Sequence, residues 1–497
     1  MMPRARHWLR DTELDTRKTF MTQKNHPARK LLVSVLRWRL RQPLLLGATL
    51  WLALIGSAID RHVAGAQEPS EVQAEPLQVE ETAPLAFDRE QYLAAFNEVW
   101  ETVRDTHWEE DLITRVWIPA REKYLPQMEQ VESREEATNV LMEMLGELKQ
   151  SHFAILPAEA YAAANEVKMQ GGEGWSGVSF KSIDNQFVAT KVVPGSPAAN
   201  AGIEVGWVLE EVQLPKIAEP VTAAKMRDMA ENIRKVFGMR EDTALSILAT
   251  ELMGGEIGQN LELQMLDNAD RPRRVKLQLA QGPGVAAQFG HFPTIYVTFE
   301  YRQLPEQVGY ISFCAFFDAL RLSREFQTAL LDEHNARGIV IDLRGNPGGM
   351  VLLVQGMSGW FVDKPHSLGS MHFKTNTLKL QLNPRKPRYD KPVAILVDEC
   401  SVSSAELFPG GLQEIGVARI FGSRTAGQVI PSQVVKLPTG DGFQYAFAGL
   451  ESSSGYVWEG NGVQPDEPIA LTRQSLQQDP DPVLSAALKW LKEQPRK

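Results

Sequence analysis

Gly338-Ile-Val-Ile-Asp342-Leu-Arg-Gly-Asn-Pro-Gly-Gly349 is the stretch whose reading decides the fold. It opens as an apolar run of strand length, closes that run with an aspartate, and ends in a turn holding three glycines. A strand covered on both faces reads as continuously apolar, whereas a half-exposed one alternates. The same texture recurs on either side. Tyr310-Ile-Ser-Phe-Cys314 precedes helical spacing from Ser323 to His334, and Val393-Ala-Ile-Leu-Val397 precedes a third helix from Ser404 to Ile415. Apolar strands alternating with helices predict an α/β core over residues 282–475, built as a largely parallel sheet covered by helices. In such a sheet, ligand chemistry collects at the carboxyl ends of the strands. The loops after Asp342 and after Val397 are therefore the first places to look.

Upstream of this core the texture is different. Between residues 171 and 281, short strands at Trp175–Phe180, Phe187–Val193 and Gly206–Val212 are separated by turn residues. Alternation at Leu261, Leu263 and Met265 and again at Val275, Leu277 and Leu279 adds two more strands, with a helix over Ala223–Phe237. This is a small, mostly β unit. Before it, residues 87–170 read as a helical unit: Leu93, Phe96, Val99, Trp100 and Val103 recur at helical spacing, and Ser133 followed by Glu136 is a capping signature. Residues 476–497 read as a short amphipathic C-terminal helix.

The N-terminus carries a targeting signal. Residues 1–42 hold eleven Lys/Arg against three Asp/Glu, directly before the uncharged run Pro43–Ile59. Positive charge followed by an apolar stretch predicts insertion with the N-terminus in the cytoplasm and export of the rest, to the periplasmic or extracellular side. Seventeen residues are short for a spanning helix and Ala64-Gly-Ala66 offers a cleavage site, so a cleaved signal peptide and an inner-membrane anchor both stand as readings. Residues 60–86, acidic and Pro-bearing, form a linker.

The chain has 497 residues and a net charge of -10, and with the basic leader set aside the remainder is near -18. Such an acidic body excludes electrostatic binding of nucleic acid. Two cysteines, Cys314 and Cys400, are too few for a disulfide framework or a cysteine-based zinc site; whether they pair is open.

Of the two loops singled out, Asp342–Gly349 has glycines that free its backbone to present N–H groups, with Asp342 and Arg344 placed to order the turn. The other, Cys400-Ser-Val-Ser-Ser-Ala-Glu406, opens a helix. A hydroxyl there meets the positive end of the helix dipole beside unpaired N–H groups, the surroundings an attacking serine and its oxyanion need, although an ordinary serine cap reads the same way.

Taken with Val308-Gly-Tyr-Ile, Gly422-Ser-Arg-Thr-Ala-Gly427 and Glu459-Gly-Asn-Gly-Val-Gln-Pro-Asp466, these loops resemble, in order, the motifs of the carboxyl-terminal processing (tail-specific) serine peptidases over residues 87–475. The β unit resembles a PDZ domain, with Ser176-Gly177-Val178-Ser179-Phe180 at its carboxylate-binding loop and Gly195–Gly202 as its turn. The resemblance implies Ser403 as nucleophile, with Ser404 where alanine is usual, and an oxyanion site from the N–H groups of Ser404 and Gly348 or Gly349. The lysine base of the bacterial branch is replaced by Gln428, which cannot accept a proton. The pattern is closer to the tricorn and interphotoreceptor retinoid-binding branch, in which His152 would be the base, with Ser151 bridging it to Glu459. Adjacent side chains such as Ser151 and His152 converge only in an irregular turn. The implied function is an exported serine endopeptidase with no metal or organic cofactor, acting on proteins or peptides with free C-termini. The alternative is a catalytically inactive, peptide-binding or scaffolding relative.

Overall fold

A computed structural model describes residues 87–158, 161, 174–215, 217, 219–287 and 295–495. The basic segment 1–42, the apolar run 43–59 and all of the linker 60–86 lie outside the described residues. Among those described, no helix is long and apolar enough to cross a membrane.

The helical unit is formed by α1 (Arg89–Thr106), α2 (Ile118–Met128) and α3 (Arg134–Gly146). Their apolar stripes meet around Phe96, Val99, Trp117, Leu141 and Met144. The capping signature before α3 is half realised: the Ser133 side chain accepts from Glu136 N–H at 3.2 Å, while the returning Glu136 carboxylate takes the N–H of Glu132 at 2.9 Å. After α3 the chain turns through Lys149 and His152, both at positive φ, and enters β1 (Ala154–Leu156). This strand pairs antiparallel with a core strand almost 300 residues later, Ala154 opposite Gln444 and Leu156 opposite Gly442. Phe443, Tyr445 and Ile430 of the core join the helical unit's own apolar cluster.

In the β unit, β2 (Val178–Ile183), β3 (Gln186–Val192), β4 (Val208–Gln213), β5 (Asn260–Leu266) and β6 (Pro272–Gln278) lie side by side in chain order, all antiparallel. Between β4 and β5 run α4 (Ala223–Phe237) and α5 (Glu241–Glu251). The sequence reading anticipated α4 and missed α5. Thr243, Ala244, Leu245, Ser246, Leu248 and Ala249 are all buried, so α5 has neither an amphipathic stripe nor a side-chain cap to announce it.

The core sheet runs β7 (Phe299–Leu304), β8 (Val308–Phe313), β9 (Gly338–Asp342), β10 (Val393–Val397), β11 (Ala418–Gly422) and a two-residue strand at Glu467–Pro468. Only the β7–β8 pair is antiparallel; every other neighbour is parallel. Ile339, Ile341, Val393, Ile395 and Val397 face α6 (Ala319–Asp332), α7 (Val351–Ser358) and α8 (Ser404–Glu414). The residues between them, Val340, Ala394 and Leu396, face α9 (Pro482–Glu493) on the other side. Helices on both faces are why these strands read as continuous apolar runs. Because β9 and β10 are adjacent and parallel, the loops leaving their carboxyl ends emerge together.

Candidate active site

The two loops are laced to each other by hydrogen bonds. Val402 N–H donates to Asn346 C=O at 3.0 Å, Ser401 Oγ to Leu343 C=O at 2.8 Å, and Gly345 N–H to Asp398 Oδ1 at 2.9 Å. Arg344 bonds both Asp342 and Asp481, and Tyr310 Oη donates to Asp342 at 2.8 Å. Burial opposes ionisation of Asp342, but the adjoining Arg344 charge outweighs it and holds the carboxyl down at about 2. These two residues therefore brace the root of the glycine turn.

Ser403 stands at the first turn of α8 with φ +56° and ψ -119°. That conformation is strained for a residue with a Cβ and is the geometry of a sharp strand-to-helix turn that lifts a hydroxyl over the end of a sheet. The surroundings hold it there. Ser403 N–H lies 3.0 Å from Gln428 C=O and 3.0 Å from Glu406 Oε2. Glu406, fully buried, also accepts from Gln428 N–H at 2.9 Å, Gly427 N–H at 2.7 Å and Thr425 Oγ1 at 2.5 Å. Burial pushes its carboxyl up to about 7 against the pull of these four donors. This clasp was not foreseen from the sequence; the glutamate three residues after the serine was its only trace.

Gly348 approaches so closely that an added Cβ would stand 2.7 Å from Ser403 Cβ and 2.8 Å from Ser404 N. At Gly349 it would stand 2.3 Å from Phe316 C=O, and both glycines have positive φ. The candidate oxyanion donors separate here. Gly348 N–H is donated to Asn346 Oδ1 at 2.9 Å, whereas the N–H groups of Gly349 and Ser404 have no hydrogen-bond partner among the described residues.

Ser151 and His152 converge because the chain is irregular there, as their adjacency requires. His152 has φ +66°, and Ser151 Oγ lies 2.6 Å from His152 Nδ1. Glu459 bonds Ser151 N–H through Oε1 at 3.1 Å and Val429 N–H through Oε2 at 2.9 Å, and takes a further hydrogen bond from the Ser151 side chain. Burial raises the Glu459 carboxyl, and those donors work against the rise. Burial alone pushes the His152 imidazolium down to about 3. Among the described residues no hydrogen bond joins His152 to Ser403. Gln428, in the position where lysine would stand, is buried, and its backbone bonds Ser403 and Glu406.

The stretch Ser176–Phe180 is placed differently from an open peptide-binding edge. Strand β2 is the outer strand of its sheet, but α5 packs along it. Thr250 Oγ1 sits 3.4 Å from Phe180 N and 3.5 Å from Phe180 C=O, and Val178 N–H is turned toward Ser176 Oγ at 3.5 Å. Lys181 on β2 reaches the turn before the nucleophile, 2.8 Å from Asp398 and 2.7 Å from Glu399. Cys314 and Cys400 are both free thiols.

Two family models match the chain: Peptidase family S41 over residues 307–469 and the Tricorn protease C1 domain over residues 88–146. Among curated proteins, it is 24% identical over 331 residues to the "Probable CtpA-like serine protease" of Staphylococcus haemolyticus and 26% identical over 330 residues to that of Staphylococcus aureus. Each match takes in 66% of this chain, which spans 58% of those relatives' length. Among solved structures, the photosystem II D1 C-terminal processing protease superposes with a TM-score of 0.51 at 21% identity, covering 79% of this chain and 96% of that one. Mature CPAF superposes at 0.54 and 14% identity, covering 82% and 99%. These likenesses show a shared fold, and the family match takes in both loops that carry the candidate site, Asp342–Gly349 and Cys400–Glu406. Over residues 307–469 this chain thus matches the model of peptidase family S41.

Proposed function

We propose that the protein is a serine endopeptidase, exported and tethered by its N-terminal segment, that cleaves flexible proteins near their C-termini. The observation that carries this reading is the strained Ser403 turn beside the unpaired N–H groups of Ser404 and Gly349. A hydroxyl lifted out of a helix start next to two idle donors matches what acyl transfer needs. In the reaction, Ser403 Oγ attacks the scissile carbonyl carbon and its proton passes to His152 Nε2. Nδ1–H then donates to Ser151 Oγ, which in turn donates to Glu459, so the neutral tautomer with a free Nε2 is held in place. The carbonyl oxygen, now anionic, rests on the Ser404 and Gly349 N–H groups. Collapse expels the amine with the proton from His152, and water hydrolyses the acyl-enzyme to release the new carboxylate. Catalytic hydrogen bonds are often long without substrate, so the reading requires the His152–Ser403 bond to form on binding.

A second reading draws on that missing bond: a framework that binds peptides without hydrolysing them. A fluorophosphonate probe with the full-length protein separates the two. Labelling at Ser403 with turnover of an unfolded protein supports the peptidase; turnover of nothing and no labelling supports the binding framework.

Capture of the tail is assigned to the PDZ-like unit by strand addition along β2, with a terminal carboxylate at the Ser176–Phe180 turn. Since Thr250 already holds the Phe180 edge and an added strand needs about 4.8 Å of spacing, α5 has to swing aside first. A peptide with a free C-terminus is expected to compete with substrate at least tenfold better than its C-terminal amide. Equal competition would remove carboxylate capture from the reading.

Gln428 is expected to be a bystander to proton transfer. Gln428→Lys should change kcat/KM by no more than about tenfold, since a lysine there would need a strongly depressed pKa to act as a base. An inert natural protein awakened by that substitution would identify a lapsed Ser-Lys peptidase.

A further inference from the structure

Ser404 is fully buried, yet its hydroxyl is not used to cap α8. Oγ instead crosses to the neighbouring loop and donates to Gly349 C=O at 2.7 Å. The position of this bond is informative. The other hydrogen bonds between the glycine loop and the nucleophile turn involve Leu343, Gly345 and Asn346, all upstream of the glycine pair. Among the described residues the Ser404 hydroxyl makes the only hydrogen bond between Gly349 itself and α8.

The two residues it joins are the same two whose N–H groups stand idle, Gly348 N–H being spent on Asn346. On the far side Gly349 is flanked by two bonds to Phe316, whose N–H donates to Gly348 C=O and whose C=O accepts from Met350 N–H, each at 2.8 Å. A glycine pair with positive φ at both residues has wide conformational freedom. Without a tie on the α8 side, its N–H would wander relative to the fixed N–H of the helix start.

We propose that the Ser404 side chain is a positioning residue of the oxyanion site, fixing the Gly349 N–H relative to Ser404's own N–H so that both converge on one oxygen. This rests on the serine peptidase reading above. The hydroxyl touches no substrate and acts only through Gly349. An oxyanion site is worth most when its donors are preorganised and need not move during the reaction.

The test is Ser404→Ala in the full chain, with folding checked by thermal melting and Ser404→Cys as a second variant that keeps a weaker donor of similar size. Two readouts are taken: kcat and KM on a peptide substrate, and affinity for a peptide boronate, whose adduct with Ser403 places an oxygen at the anion's position. For Ser404→Ala we expect kcat to fall about tenfold with KM within twofold, and boronate affinity to fall by the same factor, with Ser404→Cys intermediate. Unchanged kcat, a change confined to KM, or a lower kcat with undiminished boronate affinity would each overturn the proposal. A wild-type protein that neither hydrolyses peptide nor binds the boronate would overturn the peptidase reading itself, and this proposal with it.

Discussion

Ser403→Ala is expected to abolish hydrolysis and fluorophosphonate labelling while leaving the protein folded. The proposed attacking atom is removed, and the neighbouring hydroxyls are committed elsewhere. Ser401 Oγ is buried and committed to Leu343 C=O and Asp398, and Ser404 Oγ to Gly349 C=O. Loss of a helix-start hydroxyl costs at most about 2 kcal/mol. The backbone grip on residue 403, from Gln428 and Glu406, is untouched by the substitution. Thermal melting should therefore move by a few degrees, while turnover falls to the uncatalysed level. Retained turnover would sink Ser403 as nucleophile.

The second large effect is at His152. Replacing it by alanine should lower kcat/KM by two to four orders of magnitude, the range for removing a general base. Glu459→Gln should cost less, because in the proposed mechanism Glu459 acts on the imidazole through Ser151 and never meets the moving proton. The pH profile adds a sharper check. A solvated histidine would place the acid limb at about 6 to 7, but burial pushes His152 down to about 3, so it is neutral and able to accept a proton throughout that range. The group poised at about 7 is Glu406. Ionised, it can accept all four of its donors; protonated, its hydrogen either faces an N–H that cannot receive it or reverses the bond with Thr425 Oγ1. The rate should therefore rise with pH through about 7 on account of Glu406, and Glu406→Gln should lower the plateau and erase that limb. A limb that persists near 6.5 in Glu406→Gln would return the titration to His152.

What could be read in advance follows the range of the forces involved. The helix at Ala319–Asp332 and the strands β8, β9 and β10 were legible because burial on one or both faces imposes a period on nearby residues. Even there the helix begins before the expected Ser323, since Asp318 caps it by accepting from Arg321 N–H. Strand β1 was hidden: three residues, all buried, with a partner at 442–444, and no local period marks so short a segment. The α5 helix was hidden because it is covered on every side, and its placement against β2 makes the Ser176–Phe180 edge a closed one in this structure.

By itself the sequence determined the helix-covered, largely parallel sheet and the two loops at its carboxyl edge, and its resemblance to the tail-specific peptidases singled out Ser403, His152, Ser151 and Glu459 as the residues to watch. Periodicity and ordered motifs are local properties, and they survive without knowledge of what packs on what. Tertiary structure alone decided how these pieces meet. The pairing of β1 with residues 442–444 carries Ser151 and His152 to the 428–430 segment and Glu459, a positive φ at His152 lets two adjacent side chains converge, and Asn346 chooses between the two glycine N–H groups by consuming one. Each is a contact between segments far apart in the chain or a backbone angle forced by packing, and burial, which sets the proton affinities of His152 and Glu406, exists only once the chain has closed around them.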